Sequence, residues 1–206
     1  MKILIDPVDI KAGDPDLGRI IGGMSWPADK PGYAVVLGEE RLPRKGGRQH
    51  HVRVLAETTH GDKQLFLSEI GELQAMYRTQ GWYGRGADEG NLVHLYIYNG
   101  DAVKRGLRAI EFYAAPYSRD GRVELYADMS IKLLQPASKY LHLGAADIAK
   151  YLSIPPDERT TATANTHPAV AALGYALAVF ELYPAAEEDG GKKVEEEEDV
   201  DPLTGY

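Results

Sequence analysis

The chain has 206 residues, with 23 Lys and Arg against 31 Asp and Glu, and its formal net charge is −8. Nine of the acids lie from Glu187 onward beside two lysines, so residues 1–186 are almost neutral. The length suits a single domain with its own hydrophobic core and is short for a typical two-domain enzyme. The absence of cysteine excludes thiol nucleophiles, Cys-ligated zinc, iron–sulfur clusters and disulfides.

The hydropathy pattern indicates a protein without a membrane partner. No stretch reaches the roughly 20 apolar residues that span a bilayer, and the N-terminal residues lack the apolar core of a signal peptide. We therefore expect a cytoplasmic location. Residues 1–183 are predicted to form a single domain. Residues 184–206 are predicted to be a disordered acidic tail, because they carry too little apolar surface to offset the entropy cost of ordering.

Three strands are predicted before the first helix. The first covers residues 2–5, because Asp6-Pro7 follows ILI and proline has no amide hydrogen for strand pairing. After a predicted loop over 7–31, the run YAVVLG predicts a strand over 32–38, and the alternation in HVRVLAETTH predicts another over 51–60. We expect these strands to form a meander, with Gly46-Gly47 at one hairpin turn.

Helices and strands are predicted to alternate along the rest of the chain. Asp62 is the predicted N-cap of a helix over 63–80, which Gly81 closes. The apolar run LVHLYIY predicts a fourth strand over 92–98, covered on both faces and ending at Asn99-Gly100. The remaining predicted elements are a helix over 102–114, a strand over 123–134, a helix over 145–152, a loop over 160–166 and a last helix over 168–183.

This order of elements resembles the ribonuclease H-like fold, an α/β fold with a mixed sheet of about five strands and flanking helices. The resemblance covers roughly residues 1–183. Three local segments are similar to the nuclease domain of phage large terminases. They are LIDP with Asp6 at a strand end, YNGDAV after the fourth predicted strand, and ALGYAL in the last helix.

The resemblance implies a metal-dependent DNA endonuclease of phage or mobile-element origin, which hydrolyses phosphodiesters with two Mg²⁺ or Mn²⁺ ions. Its carboxylates come from the first strand, the fourth strand and the last helix. Asp6, Asp101 and Asp147 are the candidate catalytic acids, and Asp6, Asp101 and His167 are the candidate metal ligands. Two of the three expected carboxylates are displaced or missing, since Tyr96 or Tyr98 stands in the fourth strand and no acid stands in or just before ALGYAL.

Each of these candidates also has a structural interpretation. Asp6 before proline is a common turn former, and Asp101 is the predicted N-cap of a helix beginning at residue 102. Asp147 suits an exposed helical position, and His167 suits a helix start. The alternative function is therefore a noncatalytic nuclease-like or assembly protein that binds nucleic acid or a protein partner.

Two further segments are candidate binding surfaces. The segment RLPRKGGRQHHVR carries five positive charges around its two glycines, on Arg41, Arg44, Lys45, Arg48 and Arg53. These side chains are predicted to contact DNA phosphates, and the alternative is a solvated hairpin. In GWYGRG, Trp82, Tyr83 and Arg85 are predicted to stack on bases or on a protein partner. The acidic tail is a second predicted contact for a protein partner, or a competitor of DNA for the basic segment.

Overall fold

The computed structural model describes residues 2–4, 17–28, 30–40, 50–84, 89–114, 139–142 and 168–182. Its helices are α1 Lys63–Tyr77, α2 Glu89–Lys104 and α3 Pro168–Leu182. Its strands are β1 Lys2–Leu4, β2 Leu17–Ser25, β3 Gly32–Glu40, β4 His50–His60, β5 Trp82–Gly84, β6 Phe112–Ala114 and β7 Lys139–His142.

The described strands form one mixed sheet in the order β1-β7-β4-β3-β2-β5-β6. The strand β3 is antiparallel to both β2 and β4, and every other neighbouring pair is parallel. Six strands therefore run in one direction and β3 runs against them. Along the chain, the meander (β2 to β4) is followed by α1, β5, α2, β6, β7 and α3. The ribonuclease H-like α/β class is confirmed, with seven described strands where about five were expected.

The first strand of the meander differs from the prediction. It is β2, inside the segment predicted as a loop, whereas β1 has β7 as its one neighbour among the described strands, at the far edge of the sheet. Four strand spacings, about 19 Å, separate β1 from β2. The prediction was wrong because β2 contains Gly22-Gly23, and glycine weakens an isolated strand. Here both glycines lie where other parts of the chain come too close for a side chain.

The predicted fourth strand is also wrong, because residues 92–98 lie within α2. The helix predicted over 102–114 is replaced by the end of α2, a turn and strand β6, which leaves Val103 and Leu107 exposed. The strand that follows α1 is β5. A short apolar run without a clear period fits a strand or a helix equally well, and that ambiguity produced the error.

Five elements agree with their predictions, and one of them is β1, which covers three of the four residues predicted for the first strand. The strands β3 and β4 pair as a hairpin, and Asp62 caps α1 by accepting hydrogen bonds from the amides of Gln64 at 2.8 Å and Leu65 at 2.9 Å. The helix α1 ends earlier than predicted, because Arg78 adopts a left-handed conformation with φ of 54°. The helix α3 matches the predicted last helix almost residue for residue.

The two faces of the sheet are covered by different helices. The helix α3 lies on one face, where Ala172, Leu173 and Leu177 pack against Val35 and other side chains of β2, β3 and β4. The helices α1 and α2 lie on the opposite face, over a second core cluster around Met24, Val36, Phe66, Ile70 and Trp82. Every side chain from 169 to 180 is buried, which explains why α3 shows no amphipathic pattern. None of the described helices is long and apolar enough to cross a membrane.

Several predicted features lie outside the described residues. They are the hairpin turn at Gly46-Gly47, the strand over 123–134, the helix over 145–152, the loop over 160–166 and the acidic tail. The division into one domain over 1–183 and a tail over 184–206 therefore stays a prediction.

Candidate functional site

The candidate site lies on the side of the sheet where the parallel strands end. The parallel strands β2, β4 and β5 end at Ser25, His60 and Gly84, and we call this side the carboxyl edge. In open α/β sheets, ligands bind outside the carboxyl ends of the strands. The site lies between two neighbouring strands whose connections lead toward opposite sides of the sheet. Here β2 leads to β3 on one side, and β5 lies on its other side.

The helix α3 approaches the carboxyl edge with its N-terminal end. Gly23 lies against the backbone of Ala172. Four residues earlier on β2, the guanidinium carbon of Arg19 lies 5.0 Å from the ring centroid of Phe180. The first residues of α3 therefore lie beside the end of β2, and its last residues lie toward the opposite side, which we call the amino edge. Among the described residues, β2, β5 and α3 contain one acid, Glu181. It lies about 20 Å along the axis from Pro168.

The space beside Gly23 cannot hold a side chain or a ligand unless α3 moves away from the sheet. A Cβ at this position would overlap the carbonyl oxygen of Ala172 and would lie 2.9 Å from the Cβ of Ala176. On the other face, a Cβ on Gly22 would lie 2.8 Å from Cζ3 of Trp82. Because both positions are filled by neighbouring parts of the chain, the centre of β2 has no room for a carboxylate.

One polar pair that faces α3 near the carboxyl edge is formed by Tyr33 and Glu57. Glu57 lies opposite Val35 in the β3–β4 pairing, and paired residues point to the same face of a sheet. The Tyr33 hydroxyl donates a hydrogen bond to the Glu57 carboxylate. A single carboxylate that already accepts a hydrogen bond does not make a site for Mg²⁺ or Mn²⁺, which require several oxygen ligands. No cluster of three or more metal-binding side chains occurs within the described residues.

Of the candidate acids and metal ligands predicted from sequence, the structure describes Asp101. Asp101 lies in the last turn of α2, exposed, with its carboxylate 3.1 Å from Nζ of Lys104. The predicted N-cap role of Asp101 is wrong, because α2 already begins at Glu89. Asp101 lies about 18 Å along the helix axis from Glu89, toward the amino edge. The other three candidates, Asp6, Asp147 and His167, lie outside the described residues.

On the opposite face, a polar cluster joins the end of β2 to α1 and α2. The buried side chain of Asn91 donates a hydrogen bond to the carbonyl of Trp26 at 2.7 Å and accepts one from Nζ of Lys63 at 2.6 Å. Nε2 of Gln64 lies 3.1 Å from Nδ1 of His94. Sequence reasoning missed Asn91. The available signal was its position directly before the apolar run over 92–98. An asparagine buried beside such a run needs hydrogen-bond partners for its amide.

Hydrogen bonds from backbone amides lower the pKa of Asp62. The largest cause is the hydrogen bond from the Leu65 amide. The loss of hydration opposes it, and the amide of Gln64 and the nearby rings of His60 and His94 add to the lowering. The two amide contacts are those of a helix N-cap. They fix the start of α1 and do not indicate a catalytic acid.

The predicted DNA-contacting segment begins and ends at the amino edge. Glu40 ends β3 and His50 begins β4, and the 11 residues of β4 separate this point from His60 by about 33 Å. Of its five predicted basic residues, Arg53 is described. It forms an ion pair with Glu40, and its side chain is 14% exposed. Its charge is therefore balanced within the sheet. Arg41, Arg44, Lys45 and Arg48 lie outside the described residues.

The predicted partner-binding segment is divided between core and surface. Trp82 is completely buried between Gly22 and the side chains of α1 and α2, so its indole does not reach a partner. Tyr83 packs on α3 and stacks on Tyr113, with ring centroids 5.3 Å apart. Arg85 lies outside the described residues.

Comparison with known proteins supports the fold. The crystal structure of the g2p (large terminase) nuclease domain from bacteriophage SPP1, solved with bound Mn, matches with a TM-score of 0.55 and 13% sequence identity. The match covers 88% of this chain and 96% of that domain. No family model matches the chain, and no curated protein matches its sequence. The chain therefore has a fold like that of a terminase nuclease domain.

Proposed function

We propose that this chain is a nuclease-like domain that binds DNA or a DNA-processing partner without cleaving phosphodiesters. The observation that carries the proposal is the composition of β2, β5 and α3, which in the structure are the first strand of the meander, the strand after α1 and the last helix. The described residues of β2, β5 and the first three turns of α3 contain no Asp or Glu. Support also comes from the packing at Gly22 and Gly23, which leaves no space for an acidic side chain at the centre of β2.

The structural neighbour supports a role beside DNA. It is a large terminase nuclease domain from a bacteriophage, and almost its whole length is matched. The basic segment of this chain supplies the chemistry for DNA, since Lys and Arg side chains neutralise phosphates and the release of the phosphates' counterions favours binding. On this proposal the segment binds DNA nonspecifically, and the acidic tail from Glu187 addresses a protein partner or competes with DNA.

A second candidate function is a metal-dependent DNA endonuclease, which is favoured by the Mn bound in the neighbour structure. The described residues do not fit a two-metal site, so its ligands would come from Asp6, Asp147 and His167.

The experiment that separates the two functions measures nicking and binding on the same protein. The full chain and the Asp6→Ala variant are incubated with supercoiled plasmid and Mn²⁺ or Mg²⁺, and their melting temperatures are measured with and without the metal. The proposal expects neither nicking nor metal-dependent stabilisation. Nicking that requires Mn²⁺ or Mg²⁺ and is lost in Asp6→Ala would establish the endonuclease and refute the proposal.

DNA binding is measured by fluorescence anisotropy with a short labelled duplex at several salt concentrations. The double variant Arg44→Glu with Arg48→Glu should bind more weakly, and its slope of log affinity against log salt should be smaller by about 2, because two phosphate contacts are lost. The matched control is Lys104→Glu with Arg108→Glu, which makes the same charge change at two exposed side chains outside the segment. Equal weakening in both double variants would reject the basic segment as the DNA contact.

A further inference from the structure

The outer face of α2 is an exposed apolar surface. It consists of Leu92, Val93, Tyr96, Ile97, Gly100 and Val103, which lie within about 140° of the helix circumference. The Tyr96 side chain is 82% exposed, and Val103, Val93 and Ile97 are each at least half exposed. The opposite face of the same helix carries Leu95, Tyr98 and Ala102, which pack in the core.

This face carries few of the charges that keep an ordinary helix surface in water, since Lys104, at its C-terminal end, is the one charged side chain described on it. Residues 90–100 contain no Asp, Glu, Lys or Arg, although 26% of the chain is charged. The exposed apolar side chains amount to roughly 600 Å², the upper end for the largest patch on a monomer. That area is close to the approximately 800 Å² per partner of a specific protein interface. The outer face therefore has the size and composition of a protein contact.

The shape of the face is complementary to itself. Tyr96 projects from the helix, and Gly100, one turn later, has no neighbour within 4 Å of the position a Cβ would occupy. If two α2 helices lie antiparallel, Tyr96 of each copy faces Gly100 of the other. A twofold axis relates the two contacts, so one favourable contact occurs twice. The antiparallel arrangement also opposes the two helix dipoles. In this register Lys104 of each copy faces Leu92 of the other, so the outer face brings no like charges together.

We propose that the outer face of α2 is a homodimer interface, in which two copies pair their α2 helices antiparallel with Tyr96 against Gly100. In this register Val93 of one copy faces Val103 of the other. The interface lies on the side of the sheet opposite α3. Dimer formation therefore does not depend on whether the carboxyl edge is catalytic.

The first test measures self-association of the full chain by sedimentation velocity and light scattering between about 1 and 100 μM. The wild type should show twice the mass of one chain at the upper concentrations. Tyr96→Glu and Gly100→Trp should each weaken self-association at least about tenfold, because one removes the central aromatic anchor and the other fills the site it enters. Met76→Glu is the matched control. It places the same charge on an apolar side chain of α1 that is 57% exposed and lies outside the outer face.

The second test determines which residues meet. Because the chain has no cysteine, Val93→Cys and Val103→Cys each introduce a single thiol, and a short bismaleimide links thiols that lie close together. A mixture of the two variants should give a covalent dimer, and each variant alone should give little. A monomeric wild type, a dimer that persists in Tyr96→Glu, or stronger linking within either single variant would overturn the proposal. Circular dichroism of each variant confirms that loss of the dimer is not loss of the fold.

Discussion

Replacing Gly23 by alanine tests whether α3 lies directly on β2. The added Cβ would overlap the carbonyl oxygen of Ala172 and would lie 3.0 Å from the carbonyl carbon of the same residue. It would also lie 2.9 Å from the Cβ of Ala176. Carbon atoms in contact relax to about 3.5–4.0 Å, so α3 must move away from the sheet by at least about 0.6 Å.

The expected loss of stability follows from that movement. Overpacking of a core typically costs about 1–3 kcal/mol, and the upper part of this range applies because a helix carbonyl cannot rotate away as a side chain can. A Gly→Ala substitution also stabilises a protein by about 0.4–1 kcal/mol, because alanine lowers the conformational entropy of the unfolded chain. The net expectation is a decrease of about 2 kcal/mol in the free energy of unfolding, a large part of the 5–15 kcal/mol typical of domains.

Urea denaturation followed by circular dichroism measures the change, with Gly61→Ala as the matched control. Gly61 has nothing within 4 Å of its Cβ position, so alanine there should leave stability unchanged or raise it by up to about 1 kcal/mol. If Gly23→Ala unfolds within about 0.5 kcal/mol of Gly61→Ala, the close approach of α3 to β2 is wrong. In that case the centre of β2 has room for a ligand, and the proposed loss of catalysis loses one of its two structural supports.

Three further outcomes are expected. Asn91→Leu should destabilise the protein by about 1–3 kcal/mol in urea, because Trp26 and Lys63 lose a buried partner; an unchanged midpoint would show that water replaces the amide. The pKa of Asp62 is lowered in the folded state, so its stabilisation is present above its ordinary pKa of 3.8 and is lost as pH falls through the lowered value. The melting temperature of Asp62→Asn should therefore fall less steeply with acid than that of the wild type, and parallel curves would contradict the shift. Deleting the chain from Glu187 removes seven net negative charges and should raise DNA affinity; unchanged affinity would show that the tail does not compete.

Elements with local signals could be predicted from the sequence. The start of α1 follows from Asp62, whose side chain satisfies the free amides of the first turn. The β-branched run of β3 and the alternation in β4 predict a hairpin, and the long Ala-rich apolar run predicts α3. Together with the order of elements, these signals were sufficient for the ribonuclease H-like fold.

The helix α2 shows where local signals become ambiguous. Its apolar side chains lie on both sides, so the run over 92–98 has neither a helical nor a strand period, and it was predicted as a buried strand. Leu95 and Tyr98 pack in the core, whereas Tyr96 and Ile97 lie on the outer face. The exposed apolar side chains of the outer face obscured the helical period, and the same side chains indicate a protein contact.

The sequence by itself determined the local elements, the near-neutral body, the acidic tail and the absence of cysteine chemistry. The strand order was decided by the tertiary structure, which put β2 in place of β1 at the head of the meander. It also separated the ends of the basic segment from the carboxyl edge by about the length of β4. The physical reason is that capping and periodicity act over a few residues. The constraints on Gly22 and Gly23, in contrast, come from Trp82 and Ala172, about 60 and 150 residues away along the chain.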